Sequence, residues 1–118
     1  MDDERVWSFE RHLWTEGEDY LRHAIDEDCL MVIPERPYVL EGGQAIDAVA
    51  NTPRWGDVQF SNEQIARPED GLIVVAYYAR ARRAGDADYA AYCTSTYRRL
   101  GHENWRVVQH QQTAVDLA

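Results

Sequence analysis

The sequence predicts an α+β domain in which helices cover one face of a long, curved, mostly antiparallel sheet. Three observations carry this. Apolar residues recur at three- and four-residue steps near the N-terminus, from Val6 to Ala24. The C-terminal half reads instead as long strand-like runs joined by short turns, the pattern of an antiparallel meander. The chain has 118 residues, 45% of them hydrophobic, which suits one core and one domain spanning 1–118. A sheet with strands this long must curve to bury one face on the helices.

Val6, Phe9 and Leu13, then Tyr20, Leu21 and Ala24, keep a helical period with charges between them. Gly17 interrupts it, so one helix ends near Gly17 and a shorter one starts at Glu18-Asp19. Trp7 and Trp14 lie seven residues apart and widen the buried stripe. Leu30 to Ile33 is a short strand stopped by Pro34. Tyr38 to Leu40 is a second, closed by Gly42-Gly43. Gln44 to Val49 reads as a helix ended by Asn51-Thr52-Pro53. Val58, Phe60, Asn62 and Gln64 then alternate with Gln59, Ser61, Glu63 and Ile65, and Arg67 to Gly71 reads as a turn. The expected last three strands are Leu72 to Arg83, Tyr89 to Arg99 and Trp105 to Val115.

The net charge is −9, from 12 basic residues, all arginine, against 21 acidic ones. Such a surface repels phosphate backbones, which argues against nucleic acid as a partner. Acidic residues load the N-terminal quarter, while Arg80, Arg82, Arg83, Arg98, Arg99 and Arg106 gather in the C-terminal half. Solvated faces of opposite sign explain this; the sharper reading is an anionic ligand or a partner subunit. No run approaches the roughly 20 apolar residues of a membrane helix, so no membrane partner is expected. The acidic start, Met1-Asp2-Asp3-Glu4, lacks the pattern of a secretory signal, and a cytoplasmic location is the expectation. Cys29 and Cys93 have no partners at metal-ligand spacing and should stay reduced. No cofactor and no metal site is indicated.

Three stretches carry a family resemblance. Leu40-Glu41-Gly42-Gly43-Gln44-Ala45-Ile46 looks like a G-x-x-A-I step into a third helix. Val75-Ala76-Tyr77-Tyr78-Ala79-Arg80 looks like the central strand of the calmodulin-kinase association domain. Asn104 to Thr113 looks like a closing strand in which a Trp precedes alternating apolar and His-rich positions. In this order they resemble the nuclear transport factor 2-like superfamily, with the texture of SnoaL-like proteins and association domains. The resemblance implies a cone-shaped domain (a cystatin-like roll), three helices on the concave face, and a pocket for a small molecule between helices and sheet. It also implies a homodimer through the convex sheet face. On the last strand it points Val108, His110 and Gln112 inward and Trp105, Val107 and Gln109 outward. On the two strands before it, Ile73, Val75, Tyr77 and Ala79, and Ala91, Cys93 and Ser95, face inward.

Ketosteroid isomerase, one such relative, needs an Asp base before a proline and an oxyanion hole of a Tyr and a protonated acid. Carried over, those positions fall at Ile33, near Glu10 and near Ser95, and none matches. Arginines that hold carboxylates in other members would stand at Ala79, Ser95 and Gln112, and none is Arg. His110 remains the candidate acid–base group, since a neutral imidazole can take or give a proton near neutral pH. Tyr77, Ser95 and Gln112 could position a substrate beside it. The bland alternative is a histidine satisfied by a neighbouring strand side chain. Glu10 is a candidate partner for His110, although a Glu at such a spot is commonly exposed. His12, His23 and His102 should face solvent.

The expected pocket is thus lined by Val75, Tyr77, Cys93, Ser95, Val108, His110 and Gln112, with Trp14 and Met31 closing it from the front. Three functions compete: a dimeric binding protein for a small, partly apolar ligand; a SnoaL-like isomerase, cyclase or dehydratase using His110; and an accessory assembly domain.

Overall fold

The computed structural model describes residues 1–116; Leu117 and Ala118, the end of the expected domain, lie outside the described residues. Helices α1 (Asp3–Thr15) and α2 (Glu18–Ala24) come first. The Asp2 carboxylate caps α1 by accepting the Arg5 N–H at 2.9 Å, and Gly17 is the N-cap of α2. Strands β1 (Ile25–Val32) and β2 (Val39–Glu41) follow, then α3 (Gly42–Ala50). The remaining chain is four long strands, β3 (Asp57–Glu69), β4 (Leu72–Arg82), β5 (Tyr89–Gly101) and β6 (Asn104–Ala114).

The six strands form one sheet in the order β2-β1-β6-β5-β4-β3. Every neighbouring pair is antiparallel except β1 with β6. That parallel pair joins the two ends of the chain, so β6 lies at the centre of the sheet between β1 and β5. The buried set alternates along β4 as Ile73, Val75, Tyr77, Ala79 and Ala81, and along β5 as Ala91, Cys93, Ser95 and Tyr97. Alternation of this kind buries one face only. Val6 and Trp14 of α1, Leu21 of α2, and Ala45 and Ile46 of α3 complete the core against it.

Several boundaries differ from expectation. β1 begins at Ile25, five residues before the apolar run, because pairing with β6 starts at Ile25 opposite Val107. α3 begins at Gly42, since Glu41 acts as N-cap and its N–H donates to the Gln44 side chain at 3.4 Å. β3 runs through the expected turn at Arg67-Pro68 to Glu69, and the reversal is only Asp70-Gly71. Pro68 is tolerated because β3 is an edge strand with a register shift between Ala66 and Glu69. A further shift between Ser61 and Gln64, with Asn62 at φ 53°, switches the inward face from Val58 and Phe60 to Ile65.

The correction with most bearing on the site is in β6. Thr96 pairs with Gln109, yet the next residue, Tyr97, pairs with Val107. Val108 is therefore the extra residue of a β-bulge, and the inward set changes parity there. Trp105 and Val107 are buried in the core, not outward, and Val108 is half-buried and off the inward set. Beyond the bulge, His110 and Gln112 face the helices.

Candidate functional site

A cavity of about 520 Å³ opens between the helices, β1, β6 and the connections at one end of the sheet. Trp14, Leu21, Met31, Leu40 and Val49 supply an apolar wall. Trp55 and Tyr89 stack at 5.6 Å between centroids and form another side. His110 and Gln112 bring polar atoms to it from the central strand. Arg54, Arg83 and Arg36, with Glu35, Asp86 and Asp88, supply its charged lining.

Beneath the cavity lies a buried polar network centred on Glu10 of α1, whose side chain is fully buried. Its carboxylate accepts hydrogen bonds from the hydroxyls of Tyr77 and Tyr97. It also accepts from the Ser95 hydroxyl at 2.6 Å. Tyr77 in turn accepts the Trp14 indole N–H at 3.1 Å. Helix α1 places Glu10 here because Val6, Glu10 and Trp14 follow at steps of four and share its buried face. Strands β4 and β5 place the hydroxyls, since Tyr77 pairs with Cys93 and Ser95 with Val75 on the same inward rows.

The network reaches the cavity through His110. Its Nδ1 lies 2.6 Å from Ser95 Oγ and 3.5 Å from the Glu10 carboxylate. The Ser95 hydrogen goes to Glu10, so Ser95 Oγ accepts from Nδ1–H of the imidazole. That tautomer leaves Nε2 as an acceptor, and the Gln112 amide donates to it across 3.1 Å. The Gln112 carbonyl oxygen accepts from the Tyr89 hydroxyl at 2.9 Å. Donors thus run in one direction from Tyr89 through Gln112, His110 and Ser95 to Glu10. Burial, with the Glu10 charge behind it, pushes the Tyr77 hydroxyl well above its ordinary pKa. Tyr89 is raised too, chiefly by burial. Both therefore act as O–H donors at neutral pH.

No protein-family model and no curated protein matches the sequence. Solved structures do. A Parabacteroides distasonis protein named after ketosteroid isomerase superposes with a TM-score of 0.80 at 18% identity, over 97% of this chain and 88% of that one. An NTF2-like protein from Cytophaga hutchinsonii gives 0.76 at 18% identity, over 98% of this chain and 100% of its own. The chain has the nuclear transport factor 2-like (NTF2-like) fold. A hexachlorocyclohexane dehydrochlorinase from Novosphingobium barchaimii shares it with a TM-score of 0.65 at 18% identity, over 96% of this chain and 84% of that one.

Within this NTF2-like cone the residues named from sequence fall in different places. Trp14, Met31, His110 and Gln112 line the cavity. Tyr77 and Ser95 belong to the network below it, and Val75 and Cys93 are buried in the core without reaching it. Val108 is displaced by its bulge. Of the positions carried over from ketosteroid isomerase, Ile33 lines the cavity while Glu10 and Ser95 bond to each other. Burial pushes both cysteine thiols up to about 12, so neither is a thiolate nucleophile at neutral pH. His23 and His102 are exposed, and His12 is half-buried with its ring edge-on to Tyr20.

Sequence reasoning missed Tyr97, Tyr89, Arg54 and Trp55. Tyr97 was legible as the next inward position after Cys93 and Ser95. The others depend on how the connections flanking β3 and β5 fold over the cone mouth, which carries no periodic signal.

Proposed function

We propose that this protein holds a small, partly apolar molecule in the cavity between helices and sheet, and that it does so as a homodimer. The observation that supports it most is the cavity itself, with one continuous apolar wall and one oriented polar edge at His110 and Gln112. This is the usual build of a small-molecule site. Calorimetric titration with 2-naphthol, a neutral aromatic, tests it. One saturable site per chain is expected, lost when Val49→Trp fills the cavity. No binding, or binding indifferent to that substitution, overturns the reading.

A second reading, catalysis by His110 as general base, rests on one specific feature. The Ser95–Glu10 pair holds Nδ1–H and so aims the Nε2 lone pair at the cavity side. Gln112 donates into that lone pair at rest, so a substrate must take the place of the amide. Exchange of the α-hydrogens of 2-tetralone in deuterated water, followed by NMR, tests this. Acceleration of about a hundredfold over buffer is expected, typical of a positioned base. His110→Gln should abolish it and Gln112→Ala should retain it. Exchange at the buffer rate rules the base out.

A further inference from the structure

Arg54 stands in the connection between α3 and β3 and lines the cavity. One of its Nη groups donates to the Leu13 carbonyl near the end of α1. Its Nε is buried and has no hydrogen-bond partner among the described residues. Nor does any carboxylate among the described residues lie within ion-pair distance of it. The other charges around the cavity are accounted for differently. Arg83 is paired with Asp86 at 2.5 Å and its guanidinium lies 4.2 Å from the Trp55 ring centroid. Asp88 is held by Arg80 at 3.1 Å and Arg82 at 3.3 Å. Glu35 and Arg36 are exposed neighbours in the loop after β1.

A half-buried guanidinium without a carboxylate is costly, because the Leu13 carbonyl replaces only part of the water that burial removes. Burial, and then repulsion from Arg83, lower its pKa to about 10. Arg54 and Arg83 thus lie close enough to repel each other, although the protein carries a net charge of −9. An anion placed there gains charge-assisted hydrogen bonds of the strong class. The fixed carboxylates of Asp86 and Asp88 nearby disfavour a dianion such as a phosphate monoester, which selects a monoanion.

We propose that the molecule held in the cavity is a carboxylate with an apolar body, its body against Trp14, Met31 and Leu40 and its carboxylate on Arg54. This rests on the cavity-binding reading above and adds the chemical class. The arginine comes from a connection on the cone's rim, and strand positions 79, 95 and 112 hold Ala, Ser and Gln.

The test uses a matched pair of equal size, 2-naphthoate and 2-naphthamide, titrated calorimetrically into the full-length protein. The naphthoate should bind at least tenfold more tightly than the amide. Arg54→Met should remove that preference and leave amide affinity within about twofold, the loss expected for one charge-assisted contact. Arg67→Gln, exposed on the edge strand and outside the cavity lining, should leave the preference intact. The acid–amide comparison in the unaltered protein needs no variant, so a poorly folded Arg54→Met does not blunt it. Equal binding of acid and amide overturns the carboxylate assignment while leaving the cavity reading standing. A preference that survives Arg54→Met overturns the role of Arg54. Absence of binding by both overturns the cavity reading and this inference with it.

Discussion

Glu10 is a fully buried acid whose three hydrogen-bond donors are all neutral hydroxyls, from Tyr77, Ser95 and Tyr97. Removing it leaves three buried hydroxyls to find new partners, and each unsatisfied group has a real cost. Glu10→Leu should therefore destabilise the protein by about 3 kcal/mol, read from the midpoint of urea unfolding. Tyr97→Phe keeps the ring and removes one donor, for a loss of about 1 kcal/mol. A Glu10→Leu variant as stable as the parent would mean that the carboxylate is not held as described. The burial of Glu10 was legible in one respect, since it lies midway between Val6 and Trp14 at steps of four. Composition argued the other way, because an isolated glutamate on a helix is usually solvated. What decides the matter is the set of hydroxyls on β4 and β5, more than sixty residues away in sequence.

A second buried acid behaves differently. Burial alone would raise the Asp26 pKa, but the Asp28 N–H at 2.9 Å and the Arg98 guanidinium at 2.8 Å outweigh it and hold it below the ordinary aspartate value. A carboxyl whose folded pKa is depressed stabilises the fold above its unfolded pKa and loses that contribution as pH falls through the folded value. Asp26→Asn should thus lower the melting temperature at neutral pH. The gap should close as pH drops below the ordinary carboxylate range, near 3.9. A gap that stays constant down to acid pH would show that the charge of Asp26 is not what matters.

At the scale of elements, the start of α3 is fixed by contact with β1. A Cβ on Gly42 would stand 2.0 Å from the backbone oxygen of Glu27, whereas one on Gly43 would meet nothing within 4 Å. Backbone cannot yield as a flexible side chain can. Gly42→Ala should cost about 3 kcal/mol, while Gly43→Ala, inside the first turn of a helix, should gain about 0.5 kcal/mol. Calorimetric melting of both variants distinguishes a packing glycine from a merely permissive one; equal effects would contradict the close approach. The Gly-rich step itself was visible in sequence, but which glycine is obligatory was not, because that depends on β1. The bulge at Val108 was hidden for the same kind of reason. Strict alternation from Trp105 onward puts Val108 with His110, and only the pairing of Thr96 and Tyr97 across the ladder shows the extra residue.

At the scale of the molecule, helices before strands and a closing meander were enough to read the architecture, because those periods are local. The parallel junction of β1 with β6 joins segments some eighty residues apart and leaves no local trace. That junction also shapes the outer face. Leu30 and Val32 of β1 and Val39 of β2 lie exposed at one side of it, with Tyr92 exposed on β5. Between them Gln111 pairs with Thr94, and Thr94 with Ala76, so the middle of the face carries no charge. For a chain with 28% charged residues this is an unusual stretch of sheet, and an uncharged, partly apolar centre with a polar rim is how stable interfaces are built. We propose this face as the contact of the homodimer proposed above, each copy of 13.7 kDa. Light scattering at micromolar concentration should report twice that mass. Gln111→Arg puts two like charges near the centre of a symmetric contact, since each partner contributes one. It should shift the protein to monomer with an unchanged circular dichroism spectrum. A monomeric parent protein would refute the dimer, and a dimer untouched by Gln111→Arg would move the interface to another face.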